Sequence, residues 1–194
     1  MNQPPPLVDY NLFDTNRALC EAVRREGGGW GEATIREFGR IVGTAELQAW
    51  GAQSNQYPPV LRTHDRYGHR IDEVDFHPAW HSLLELACRF GLHTGPWREA
   101  RPGAHVVRAA MFLLAAENEY GHLCPVSMTY SVVPALRKQP ELYQEWEPRL
   151  LATSYDRRFR PAPDKTGVLL GMAMTEKQGG SDVRAITTRA APAG

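Results

Sequence analysis

Gly171-Met172-Ala173-Met174-Thr175-Glu176-Lys177-Gln178-Gly179-Gly180-Ser181-Asp182 follows the apolar run Val168-Leu169-Leu170. A short β-branched and aliphatic run after Thr166-Gly167 predicts a buried strand that ends at Thr175-Glu176. The chain then turns through two glycines and two short polar residues. Glycine admits positive φ and lets backbone approach a ligand closely. Consecutive amides in such a turn converge on an anion, and Ser181 adds a hydroxyl at the same place. Two readings stand on the residues alone. One is a phosphate-holding turn; the other, favoured by the abundance of short glycine-rich turns, is a plain turn with Ser181 and Asp182 bonded to their own backbone.

Composition bounds the class. The 194 residues suffice for one domain of ordinary size. With 42% hydrophobic and 23% charged residues, the chain is that of a soluble globular protein, not a disordered one. Net charge is zero, which argues against nucleic acid or an anionic membrane as a partner held by charge. Arg24-Arg25 and Arg157-Arg158-Phe159-Arg160 are the basic concentrations, each too small to argue DNA binding. Cys20, Cys88 and Cys124 are odd in number and far apart, which predicts reduced thiols packed as small hydrophobes in a cytoplasmic protein. The start, Met1-Asn2-Gln3-Pro4-Pro5-Pro6, has neither the basic nor the apolar region of a signal peptide, and no run approaches membrane-spanning length.

Upstream of the motif the periodicity is helical. After a proline arm over residues 1–13, Asp14 or Thr15 is the candidate cap for a helix carrying Leu19, Ala22 and Val23. Ile35, Phe38, Ile41, Val42, Ala45 and Ala49 form one stripe and predict a single helix from about Glu32 to Ala52. Val60-Leu61 and Ile71 to Val74, flanking Asp65-Arg66-Tyr67-Gly68, predict a small hairpin with His64 and His69 as solvated turn residues. His77 and His81 lack the Glu of a zinc-binding HExxH pattern, so Pro78 is read as the first position of a helix to about Phe90. Residues 104–120 are apolar nearly all round and predict the central helix, with Glu117 and Glu119 on an exposed or subunit-facing side. Two further helices are expected, about Ser127 to Lys138 with a kink at Pro134, and Glu141 to Leu151. Residues 153–165 have linker composition, and the boundary between a helical domain and a β-domain is set near Thr166.

Met174-Thr175-Glu176 with Gly180-Ser181-Asp182 resembles the flavin-binding signature of the acyl-CoA dehydrogenase superfamily. The longer string Gly171 to Val183, with Lys177-Gln178 where most of the superfamily has Pro-Gly, resembles its AidB-type branch, the adaptive-response flavoproteins of alkylation damage. Cys20-Glu21-Ala22-Val23, Gly43-Thr44-Ala45-Glu46, Phe76-His77-Pro78-Ala79-Trp80-His81 and Leu123-Cys124-Pro125 with Met128-Thr129 extend the resemblance in the same order over essentially the whole chain.

The resemblance implies a mainly α chain: an amino-terminal helical bundle of five or six helices over residues 1–165, then the first strands of the middle β-barrel domain over 166–194. It implies FAD as cofactor, held by Met172, Met174, Thr175, Gly179, Gly180 and Ser181. Met174 and Thr175 would line the flavin ring, and Gly180 and Ser181 would face the pyrophosphate. The implied reaction is α,β-dehydrogenation of an acyl-CoA thioester by a cytoplasmic homotetramer. The family's catalytic base and the tryptophan strand at flavin N5 come from later parts, so the chain is expected to be an amino-terminal portion without turnover of its own. The rival expectation is a non-catalytic DNA-protection protein, with DNA bound through a carboxy-terminal region not present here.

Overall fold

The computed structural model describes residues 2–192 as nine α-helices with one two-stranded sheet among them. Asn11 opens α1 (Leu12–Thr15) by accepting the Phe13 amide at 3.0 Å, and Asn16, rather than Asp14 or Thr15, caps α2 (Arg17–Arg25) through the Leu19 amide. The single helix expected over 32–52 is two, α3 (Glu32–Val42) and α4 (Ala45–Gln56). Thr44 accounts for the break. Its hydroxyl accepts the Leu47 amide and so restarts the ladder, while Tyr10 backbone crosses too close to Gly43 for any side chain.

The hairpin forms as read. β1 (Val60–His64) pairs antiparallel with β2 (Arg70–Asp75), Leu61 opposite Val74, with an irregularity between Arg62 and His64. Asp65 holds the turn, accepting from the amides of Tyr67 and His69 and pairing with the His69 ring.

Pro78 opens α5 (Pro78–Arg89), and His77 Nδ1 accepts the Ala79 amide at its start. A short helix that the pattern did not suggest, α6 (Gly95–Arg98), precedes Gly103, whose φ of 79° turns the chain into α7 (Ala104–Asn118). The helix α8 (Leu123–Leu136) runs on through Pro134, and α9 (Pro140–Leu150) closes the bundle.

The apolar circumference of α7 has the consequence expected of it. Val107, Ala110, Met111, Leu114 and Ala115 are all buried, and the helix packs on α2, α3, α4, α6 and α8. Ile35 and Phe38 of α3, Leu83 and Leu84 of α5 and Val126 of α8 complete one continuous core. Among the described residues no helix is long and apolar enough to cross a membrane.

Candidate functional site

The glycine-rich motif hangs from the amino-terminal half of α8, and a carboxylate sets where that helix begins. Glu119, expected on an exposed or subunit-facing side, is buried within the chain. It accepts from the amides of Gly121 and His122, the latter at 2.9 Å, and from His122 Nδ1 at 2.7 Å. Free amides of a helix start need acceptors, and an anion there also meets the positive end of the helix dipole. Burial alone would raise the Glu119 pKa, but these donors bring it down to about 2. Its geometry is that of a helix cap, with the amides of Gly121 and His122 and the His122 ring as donors.

From α8, Thr129 and Met128 receive the incoming segment. Thr166 N donates to Asp156 Oδ2 at 3.1 Å, and Val168 N to Arg149 O at 3.2 Å. Leu169 packs on the bundle core, and Leu170 N donates to Thr129 Oγ1 at 2.9 Å. Met172 N lies 3.2 Å from Met128 Sδ. The strand expected at 168–174 has no ladder among the described residues. A strand exists only where a neighbour supplies donors and acceptors. Here the neighbour is a helix, which offers side chains instead.

Beyond Met172 the chain leaves the bundle. Gly179 N closes a turn on Glu176 O at 3.1 Å. The Glu176 carboxylate then accepts the Thr187 amide at 2.9 Å and the amide and hydroxyl of Thr188. Hydrogen bonds from Thr188 lower the pKa of Glu176 against its partial desolvation, so it stands as an anion bracing two limbs of a loop. Asp182 Oδ1 accepts the Arg184 amide and starts a 3-10 turn over Val183–Ala185. The return limb comes back through Glu176 and not through a strand ladder.

The loop so closed encloses a recess of about 320 Å³. Thr175, Gly179, Gly180 and Ser181 line it together, with Gln178 and Asp182 beside them. Met172 and Met174 stand outside it, the first against Met128 and the second about half exposed at 52%. A side chain at Gly179 or Gly180 would meet nothing within 4 Å, so the protein's own packing does not require glycine at either. Sequence reasoning missed Glu176 as the brace and Thr129 as the mooring. No local pattern marks either, since each bonds a residue far along the chain.

The family model "Adaptive response protein AidB N-terminal domain" matches residues 2–157. AidB of Escherichia coli (strain K12) is 48% identical over 191 residues, which is 97% of this chain and 35% of that protein. Acyl-CoA dehydrogenase family member 11 of Caenorhabditis elegans is 28% identical over 153 residues, 78% of this chain and 24% of that one. The chain therefore spans about a third or less of the length of these curated relatives. Two solved structures share the fold. "Bd2924 apo-form" gives a TM-score of 0.76 at 24% identity, over 94% of this chain and 36% of that one. Caenorhabditis elegans ACDH-11 in complex with C11-CoA gives 0.74 at 22%, over 93% and 31%. With its helical bundle and this matched sequence, the chain belongs to the AidB amino-terminal domain family, an acyl-CoA dehydrogenase-like portion of longer relatives.

Proposed function

We propose that the chain is the amino-terminal part of an FAD-dependent acyl-CoA dehydrogenase-type protein, whose full-length form carries out α,β-dehydrogenation of an acyl-CoA thioester. Residues 1–165 are its helical domain and residues 166–194 the start of the next. The observation that carries this reading is the recess at Thr175 to Asp182. The amides of Thr175, Gly180 and Ser181 give no hydrogen bond among the described residues, while those of Met172 and Gly179 donate to Met128 Sδ and Glu176 O. The two carboxylates at the recess are already engaged, Glu176 by Thr187 and Thr188 and Asp182 by Arg184. What remains free is a row of donors, the chemistry that a diphosphate takes. A recess of about 320 Å³ suits that diphosphate and one edge of a flavin, not a whole dinucleotide, so this chain supplies one wall.

When bound, FAD supplies a hydride acceptor for the substrate β-carbon. The residues of this chain bind and orient. Gly180 and Ser181 would donate to the pyrophosphate, Thr175 would offer its amide and hydroxyl to the pyrimidine edge, and Met172 and Met174 would line the ring. Gly179 allows the turn to come close, and Gln178, bonded to Glu176, stiffens it. The acyl-CoA bound by the structural relative supports a thioester of this kind as substrate.

The test is a pair of variants in the full-length protein. Ser181→Ala removes one donor to a charged group and is expected to weaken FAD by about 1.5–3 kcal/mol, roughly tenfold or more. Asp182→Ala removes only a brace to Arg184 and is expected to cost less. Equal losses in a flavin titration, or a larger one for Asp182→Ala, contradict the assignment.

A further inference from the structure

The segment leading into the glycine-rich motif donates to earlier parts of the chain at every second residue. Thr166 N bonds Asp156 Oδ2, Val168 N bonds Arg149 O, Leu170 N bonds Thr129 Oγ1 and Met172 N meets Met128 Sδ. The amides of Gly167, Leu169, Gly171 and Ala173 give no hydrogen bond among the described residues. Successive amides of an extended chain point to opposite edges. The alternation therefore marks a strand with one edge bonded to the helical part and the other open. By the same count the Thr175 amide falls on the open edge, and Thr175 lines the recess. A slip of one residue would exchange the two edges and turn that amide away from it.

Thr129 is the acceptor best placed to prevent such a slip. Asp156 and Arg149 hold only the start of the segment, and the Met128 thioether is a weak acceptor. Thr129 is fully buried in α8. Its hydroxyl is 2.8 Å from Pro125 O and 3.4 Å from Leu170 O, so its proton goes to Pro125. The oxygen is then a fixed acceptor facing the Leu170 amide at 2.9 Å.

We infer that Thr129 is a positioning residue for the flavin of the complete protein. By accepting the Leu170 amide it holds the strand in the register that leaves the Thr175 amide free for the cofactor. It acts through Leu170 and not by contact with FAD. A segment released from that register binds FAD only in the fraction of molecules that regain it, and the apparent affinity falls by that fraction. The inference rests on the flavin reading of the recess.

FAD titration of the full-length protein, followed by the visible spectrum of the flavin, tests it. Thr129→Val is expected to raise the Kd about three- to tenfold and to shift the absorption bands of bound flavin, whose pyrimidine edge loses the Thr175 donor. Thr129→Ala, which has no branched group to pack, is expected to do the same. Thr129→Ser keeps the hydroxyl and is expected to restore both Kd and spectrum. A merely structural threonine would lower the melting temperature and leave the spectrum of bound flavin alone. A parent protein that takes up no FAD overturns the flavin site itself. A parent that binds FAD, with Thr129→Val and Thr129→Ala keeping its Kd and spectrum or Thr129→Ser as weak as Thr129→Val, overturns the role of Thr129 alone.

Discussion

Leu170 N donates to Thr129 Oγ1 at 2.9 Å, while the same hydroxyl donates to Pro125 O at 2.8 Å. One buried threonine thus joins the first turns of α8 to the segment that carries the glycine-rich motif. Thr129→Val keeps the shape and removes the hydroxyl. The Leu170 amide, partly buried, is left without an acceptor, at a cost of about 0.5–1.5 kcal/mol. Hydrogen exchange is expected to quicken several-fold at Leu170 and Met172 and to stay unchanged at Val107–Leu114. Equal exchange in both proteins at Leu170 would mean that the mooring lies elsewhere.

Two buried groups make the fold acid-sensitive in separate windows. His93 is lowered to about 4 and Glu119 to about 2, each below its unfolded value of roughly 6.5 and 4.3. In both cases the unfolded chain binds more protons, so stability rises with pH across the gap. Falling pH is therefore expected to weaken the fold first between about 6.5 and 4, through His93, and then between about 4.3 and 2, through Glu119. Glu119→Gln should flatten the lower limb and spare the upper one. Urea denaturation at several pH values measures both.

The glycines divide into those the fold needs and those it does not. Gly103 has φ 79°, and a Cβ there would run into Gly27 backbone. Gly103→Ala is expected to cost at least about 1–2 kcal/mol for the left-handed conformation, with the clash added. Gly179→Ala meets nothing within 4 Å and should stay within about 0.5 kcal/mol of the parent. Thermal melts of the two variants give the comparison directly.

Much of the bundle was legible because its signals are local. Pro78 after His77, the alternation around Asp65–Gly68 and the all-round apolar α7 each specify an element from neighbours in sequence. The break at Gly43-Thr44 was not, because the apolar stripe continues through it in register and only the crossing of Tyr10 backbone shows why the helix must stop. Glu119 was misplaced for a related reason. A carboxylate at a helix end is ordinarily exposed, and its burial depends on His122 and on two amides that have nowhere else to donate. Cys124 is exposed rather than packed, since it falls on the outer face of the first turn of α8. At the motif, the residue types were readable and the brace was not. Glu176 reaches Thr187 and Thr188 across the whole loop, a pairing that no short pattern encodes.

Amide hydrogen exchange of the full-length protein, with and without FAD, tests the central claim most directly. The account predicts that FAD slows exchange at Thr175, Gly180 and Ser181, whose amides have no backbone acceptor here, and leaves the Val60–Asp75 hairpin untouched. FAD bound with unchanged exchange at those three residues would contradict it.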